Sequence, residues 1–225
     1  MSSGVVANNR MNRERGISGS NSYRKDLSFD VTAFLREKTA AAEKVSWLDI
    51  GCGTGRALIE AARDFKDCAG NLRIIGIDLA GMFHPCPAEL KHLKLLETPV
   101  EDFEPPEKFD LITSVHNLHY IGDKLAVINK AAGWLKTDGY FAANLELRNL
   151  KLAGKQDSSK TFAGLLRKAG FVVDNRKHLI TLQGNRNFDP PFRYLGADDK
   201  AGPNSTGQPV VDSYYERVDR VDRVD

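Results

Sequence analysis

Short apolar runs bounded by Gly, Pro, Asn and Asp alternate along this chain with stretches whose apolar residues recur every three to four positions. The first pattern belongs to strands covered on both faces, the second to helices with one buried stripe. From Leu27, LSFDVTAFLREKTAAAEK sets Asp30 as N-cap ahead of Val31, Phe34, Leu35 and Lys38 at helical spacing. A strand at 45–50, a helix at 56–65 and a strand at 73–78 follow, and the segment HPCPAEL predicts a short helix opening near Pro87. Beyond it the pattern gives strand 93–96, a Pro-rich turn at EPPEK, strand 109–114, helix 124–135, a turn at KTDG and strand 140–145. Helix 158–169 closes on Gly170 as C′ residue, and 171–174 and 179–182 alternate as a late hairpin. This succession predicts an α/β fold, a parallel sheet with helices on both faces.

The ends break the pattern. Residues 1–26 are rich in Ser, Asn, Gly and Arg and read as an N-terminal arm or lid; 27–215 is the domain and 216–225 a tail. The stretch from Asn185 to Pro209 is crowded with Gly, Pro, Asn and Asp and too long for an ordinary connection, so it is read as functional or disordered. The terminal RVDRVDRVD is too short for a repeat architecture and receives no function.

Between the first strand and the helix after it lies WLDIGCGTG, in which Asp49, Gly51, Gly53 and Gly55 form D-x-G-x-G-x-G. An open α/β sheet binds nucleotide-like ligands at this place, beyond its strand ends, and glycine lets the backbone turn sharply and approach the ligand. The dinucleotide fingerprint G-x-G-x-x-G puts its third glycine one residue later than this loop does. A pyrophosphate also favours amide donors without a nearby carboxylate, whereas a ligand bearing an ammonium group welcomes Asp49. Asp78 ends the strand RIIGID 27 residues after Gly51, about where an acid meets ribose hydroxyls.

These residues resemble the class I S-adenosylmethionine-dependent methyltransferases over about 46–139. The resemblance implies a three-layer Rossmann-like methyltransferase fold, with a seven-stranded mostly parallel sheet ending in an antiparallel hairpin. It implies S-adenosyl-L-methionine as cofactor and S-adenosyl-L-homocysteine as product. Asp49, Gly51, Cys52, Gly53 and Gly55 then form the loop cradling the methionine part, Asp78 holds both ribose hydroxyls, and Leu79 or Met82 covers the adenine. Family members often carry an acid in a G-D-A-like segment that reaches the adenine amino group. Here ETPVEDF puts Thr98 and Pro99 there, leaving Glu101 or a backbone group near Val100 as the substitute. Ser114, at the end of the fourth strand, joins the cofactor set. So does Tyr23, because in similar enzymes the segment before the first strand folds over the cofactor; its other reading is an exposed aromatic. LKTDGYF is similar to the family's L-K-P-G-G turn, with Thr137 and Asp138 replacing Pro and Gly.

The fourth strand also ends at the ligand crevice, and there FDLITS runs into VHNLHYIGD. His116, Asn117, His119 and Tyr120 therefore lie near the cofactor, and His116, His119 and Tyr120 are the catalytic candidates. Methyl transfer from a sulfonium is an in-line displacement, so the protein positions the acceptor and removes a proton where there is one to remove. His119 and Tyr120 also resemble the family's structural L-H-H-hydrophobic segment. Amino-methyltransferases of bases and protein amides carry Asn/Asp-Pro-Pro-aromatic at this point, where this chain has SVHN. Its DPPF, at Asp189 to Phe192, lies far downstream and reads as a turn.

Charge and composition narrow the partners. Lys plus Arg total 32 against 30 Asp plus Glu, a net +2 that supplies no field for nucleic acid or an anionic membrane. Cys52, Cys68 and Cys86 are an odd, widely spaced set, which argues against a disulfide framework and for a reducing compartment, the cytoplasm by default. The N-terminal residues lack a signal-peptide core. His84, Cys86 and His92 fall short of a four-ligand zinc pattern, so no metal is expected. The expectation is methyl transfer to an O, N or C of a small biosynthetic acceptor, without nucleic acid or membrane; a homodimer is allowed. The alternatives are a protein or peptide methyltransferase and a non-catalytic S-adenosylmethionine-binding regulator.

Overall fold

A computed structural model of the chain describes residues 14–41, 44–203 and 210–218. In chain order its helices are α1 (Tyr23–Leu27), α2 (Val31–Ala41), α3 (Arg56–Asp64), α4 (Lys124–Trp134) and α5 (Ser159–Lys168). The strands are β1 (Val45–Ile50), β2 (Leu72–Asp78), β3 (Leu93–Glu97), β4 (Phe109–Ser114), β5 (Leu135–Asn144), β6 (Leu150–Leu152), β7 (Val172–Asp174), β8 (Leu179–Gln183), β9 (Phe192–Asp198) and β10 (Asp212–Arg217).

Seven strands form one sheet in the order β3-β2-β1-β4-β5-β8-β7, and β8 runs antiparallel to both its neighbours. This is the mostly parallel sheet with a late antiparallel hairpin expected from the sequence. Because side chains alternate across a strand, the sheet sorts its residues into two cores. Trp47, Ile74, Leu111 and Ala142 pack with α1, α2 and α3, while Leu48, Ile75, Ile112 and Phe141 pack with α4 and α5. Asp30 caps α2 by accepting from Ala33 N at 2.9 Å, and Gly170 follows α5 at φ +92°.

Four local expectations change. No helix opens near Pro87: Pro85 and Pro87 bias the residues before them away from helical backbone, and a single turn, Leu90 N to Pro87 O at 3.0 Å, forms instead. KTDG does not precede the fifth strand but lies inside it. Pairing jumps from Phe109↔Leu135 to Leu111↔Tyr140, so the surplus residues bulge, with Gly139 against the Phe109 carbonyl, where a Cβ would lie 2.6 Å away.

The Asn185 to Pro209 stretch is neither plain loop nor wholly irregular in its described part, since residues 192–198 are β9. β9 pairs antiparallel with β10, whose other edge takes β6 in parallel, giving a second, three-stranded sheet. β10 extends to Arg217, two residues past the expected domain end at 215. At Asp189 to Phe192 the chain does turn, with Phe192 N bonding Pro190 O at 2.8 Å. Most of the RVDRVDRVD repeat lies outside the described residues.

The second sheet is seated over the start of α4. Lys124 is fully buried and donates to Ile121 O (2.8 Å), Val211 O (2.7 Å) and Ser213 Oγ (2.8 Å). The Tyr215 hydroxyl bonds Asp123 Oδ1 at 3.1 Å and receives Leu125 N at 3.1 Å. Val211 N reaches His119 O at 2.9 Å, which brings this sheet beside the ends of β4 and β5.

Candidate cofactor and acceptor site

The glycine loop leaves β1 at its C-terminal end. Gly51, Gly53 and Gly55 have φ of +75°, +59° and +75°, the left-handed region that side chains rarely adopt. Gly51 N and Cys52 N bond the Ile77 carbonyl at 2.8 and 3.1 Å, fixing the loop to β2. Gly53 N donates to Asp78 Oδ2 and Ala80 N to Oδ1, each at 2.9 Å. Each oxygen keeps a further lone pair, so the aimed carboxylate can accept from a ribose diol.

Between loop and acid runs a narrow cleft walled by Gly51, Asp78, Leu79, Val100, Glu101 and Asn117. Leu79, Val100 and Glu101, the residues expected on the adenine side, are among these walls. Met82 is half exposed and lies outside these walls. The free volume is about 40 Å³, far below the hundreds of Å³ of an ordinary ligand pocket. Its obstruction is Asn117, whose Cγ would lie 2.0 Å from a Cβ on Gly51. The side chain fills the notch that the missing Cβ leaves.

Asp49 departs from expectation. Its position on β1 turns it to the α1–α3 face, where it is fully buried. Oδ1 accepts from the Thr113 hydroxyl, Oδ2 accepts from Tyr23 OH at 2.6 Å, and Trp47 Nε1 donates to Thr113 Oγ1 at 2.8 Å. The carboxyl is thus occupied by protein donors rather than turned to a ligand's ammonium. Burial pushes it up to about 7, against the opposing effect of the Thr113 and Tyr23 hydrogen bonds; the nearby Asp78 charge adds to the rise.

Tyr23 is correspondingly neither an exposed aromatic nor a lid over the cleft. It is 3 % exposed and latches the arm to β1. Cys52 and Ser114 are likewise corrections to the cofactor set. Cys52 Sγ is buried in the core near Gly76, and the fully buried Ser114 donates to Ile50 O at 3.0 Å.

At the end of β4, His116 has φ +55° and starts the 3-10 turn Asn117–His119. Its Nδ1 lies 3.3 Å from His119 Nε2, and its Nε2 lies 3.5 Å from Asp26 Oδ2, so both ring nitrogens already face partners. Asp26, in α1, also takes Arg15 Nε at 2.6 Å. Burial alone would raise the Asp26 carboxyl, but its hydrogen bonds and electrostatic interactions with His116 and Arg15 outweigh it and hold it below the usual range. Asn144 ties the cluster to β5 by receiving His116 N at 3.2 Å and donating to Asp26 O at 3.0 Å.

His119 is 2 % exposed, and burial, with the neighbouring His116 ring adding to it, lowers it to about 3; this ring is neutral at physiological pH. Its Nδ1 is buried without a hydrogen-bond partner among the described residues. Tyr120 sets its ring edge-on to His119 at 6.4 Å between centroids. His84 and His92 are not brought together: the first pairs with Glu14 at 2.8 Å and the second bonds the Ala62 carbonyl at 3.1 Å.

Sequence reasoning did not single out Arg15, Asp26 or Asn144, and gave Asn117 no role. Asp26 and Arg15 sit in the segment assigned to an arm, where no periodicity marks them, and only the folding of α1 onto the end of β5 brings them to His116.

The sequence is similar to known methyltransferases over the same span. Residues 48–141 match a family model described as a methyltransferase domain. The chain is 27% identical over 105 residues to (S)-coclaurine N-methyltransferase from Papaver somniferum, covering 46% of this chain and 30% of that protein. The chain thus spans under a third of the length of that curated relative. Among solved structures, a plantazolicin methyltransferase in complex with SAH aligns at 19% identity and TM-score 0.40, covering 52% of this chain and 44% of that one. A SAM-bound amino pentose methyltransferase from Micromonospora echinaspora aligns at 23% identity and TM-score 0.41, covering 55% and 50%. With the strand order and the glycine loop, residues 48–141 are thus similar to a methyltransferase domain on a mostly parallel α/β sheet.

Proposed function

We propose that the chain moves a methyl group from S-adenosylmethionine to an O, N or C of a small acceptor by in-line displacement. The observation that carries this is the Asp78 carboxylate, oriented by Gly53 N and Ala80 N beside a three-glycine turn, within the span that matches a methyltransferase domain. In this reading Gly51, Gly53 and Gly55 receive the methionine part, Asp78 the ribose, and Leu79, Val100 and Glu101 the adenine. The cofactor supplies an electrophilic methyl whose sulfur leaves as a neutral thioether. The chain's own work is to align the acceptor and take its proton.

Of the catalytic candidates, His119 fits the second task best. Its Nδ1 has no hydrogen-bond partner among the described residues, whereas His116 has both nitrogens engaged. A small acceptor agrees with the curated relative and solved neighbours, whose names refer to a coclaurine, an amino pentose and plantazolicin. Residues 14–26 are the strap of this domain and β6, β9 and β10 its acceptor-side cover.

A peptide acceptor is the second reading. β9 pairs only with β10 among the described strands, so its outer edge is open to an added strand. Turnover of peptides and not of small amines or alcohols would favour it; binding without any turnover would favour a regulator.

Calorimetry with S-adenosylmethionine and S-adenosylhomocysteine tests the whole proposal. Micromolar binding that weakens in Asp78→Ala is expected. No binding by the intact chain would overturn it.

A further inference from the structure

The strap places a carboxylate and an arginine at one end of a row whose other end is His119. From Arg15 Nε to Asp26 Oδ2 is 2.6 Å, from Asp26 Oδ2 to His116 Nε2 is 3.5 Å, and from His116 Nδ1 to His119 Nε2 is 3.3 Å. An arginine donates only, so the Asp26 oxygen that it meets is an acceptor. That oxygen calls for a proton on His116 Nε2. A neutral His116 then presents a lone pair at Nδ1, which calls for a proton on His119 Nε2. The neutral His119 ring has one proton to place, so its Nδ1 is left bare.

We infer that Arg15, Asp26 and His116 form a relay, supplied from outside the sheet by the strap, that holds His119 in the Nε2–H tautomer. Asp26 and His116 are positioning residues in this account, and neither touches the acceptor. The inference rests on the proposed role of His119 as base. Its consequence for the reaction balances simply. As the acceptor's lone pair forms the bond to the methyl carbon, the sulfonium S–C bond breaks and its electron pair goes to sulfur. The acceptor's proton, where there is one to lose, passes to His119 Nδ1.

The backbone fixes the row as firmly as the side chains do. His116 occupies left-handed backbone, uncommon for residues other than glycine, and Asn144 clamps its amide while holding the Asp26 carbonyl. Strain of this kind persists only where the surroundings over-determine it.

Nitrogen-15 NMR of the histidine rings in the intact protein reads the tautomer directly, without an acceptor. The expected result is His119 with Nε2 protonated and Nδ1 bare. Asp26→Ala should shift the tautomer ratio about fivefold towards Nδ1–H, as loss of one hydrogen bond of about 1 kcal/mol allows. Asp26→Asn keeps an oxygen for Arg15 and His116 and should preserve the wild-type pattern.

A His119 protonated at Nδ1 in the unmutated protein would overturn the relay whatever the variants do, because His116 would then be the donor to His119. An unchanged ratio in a folded Asp26→Ala protein would overturn it too. Calorimetry of the unmutated protein with S-adenosylhomocysteine separates the two levels. Failure to bind, with the tautomer as expected, removes the methyltransferase reading and leaves the relay standing.

Discussion

At the residue scale, Gly51, Asp78 and Asp49 carry different burdens although all three stand out equally in the motif. Gly51 is needed twice, for its φ of +75° and because Asn117 occupies the space of a Cβ. Gly51→Ala should cost about 1–3 kcal/mol of stability, read by urea denaturation, and abolish cofactor binding. Adding Asn117→Ala should recover part of the stability, since it removes the clash but not the backbone strain. Asp78→Ala removes charge-assisted bonds to a ribose, each worth about 1.5–3 kcal/mol, and should weaken S-adenosylhomocysteine binding about 10- to 100-fold by calorimetry. That Asp78 ends β2 beside the glycine loop was legible from its spacing after the loop. That Asp49 is held by protein donors was illegible, because β1 alternates faces and its partners Tyr23 and Thr113 come from 26 and 64 residues away.

The element of most consequence is the strap, since α1 brings Tyr23 to Asp49 and Asp26 to His116. Burial raises Asp49 to about 7 from its ordinary 3.8, so between those values the folded chain binds more protons there than the unfolded one. Its contribution to stability is therefore greatest at low pH and falls as pH rises from about 4 to about 7. Asp49→Asn should flatten that part of the denaturation profile, and an unaltered slope would show that Asp49 ionises normally.

His119 acts in the opposite sense. Its folded value of about 3 lies below the ordinary 6.5, so its contribution is complete above that value and is lost as pH falls. Tyr23→Phe leaves a buried acceptor unmatched and should cost about 1–3 kcal/mol. It should also raise amide exchange across α1. The arm was expected from its composition, but its packing was not, because an isolated five-residue helix has no sequence period of its own.

For the whole molecule, the question is how the second sheet is joined to the first. Lys124 is the buried rivet, and burial lowers it to about 7 despite the raising influence of Asp212 and Asp123. A lysine below its ordinary 10.5 is less protonated folded than unfolded, so its contribution to stability grows as pH rises from about 7 to 10.5. Lys124→Met should strand the Ile121 and Val211 carbonyls and cost about 3 kcal/mol. Hydrogen exchange should then accelerate in β9 and β10 ahead of β1 and β4, if the small sheet opens as a separate unit.

By itself, the sequence determined the α/β succession, the strand–glycine loop–helix unit and the acid that ends β2, because each rests on local periodicity or on a spacing within one βαβ unit. Tertiary structure decided which way Asp49 points, that Asn117 fills the Gly51 notch, that residues 192–198 become a strand, and that Asp26 meets His116. These depend on contacts between segments far apart in the chain, whose partners no local pattern announces. The cofactor end is written in neighbouring residues. The acceptor end proposed above would be assembled from the strap, the turn after β4 and the second sheet, which meet only once the chain packs.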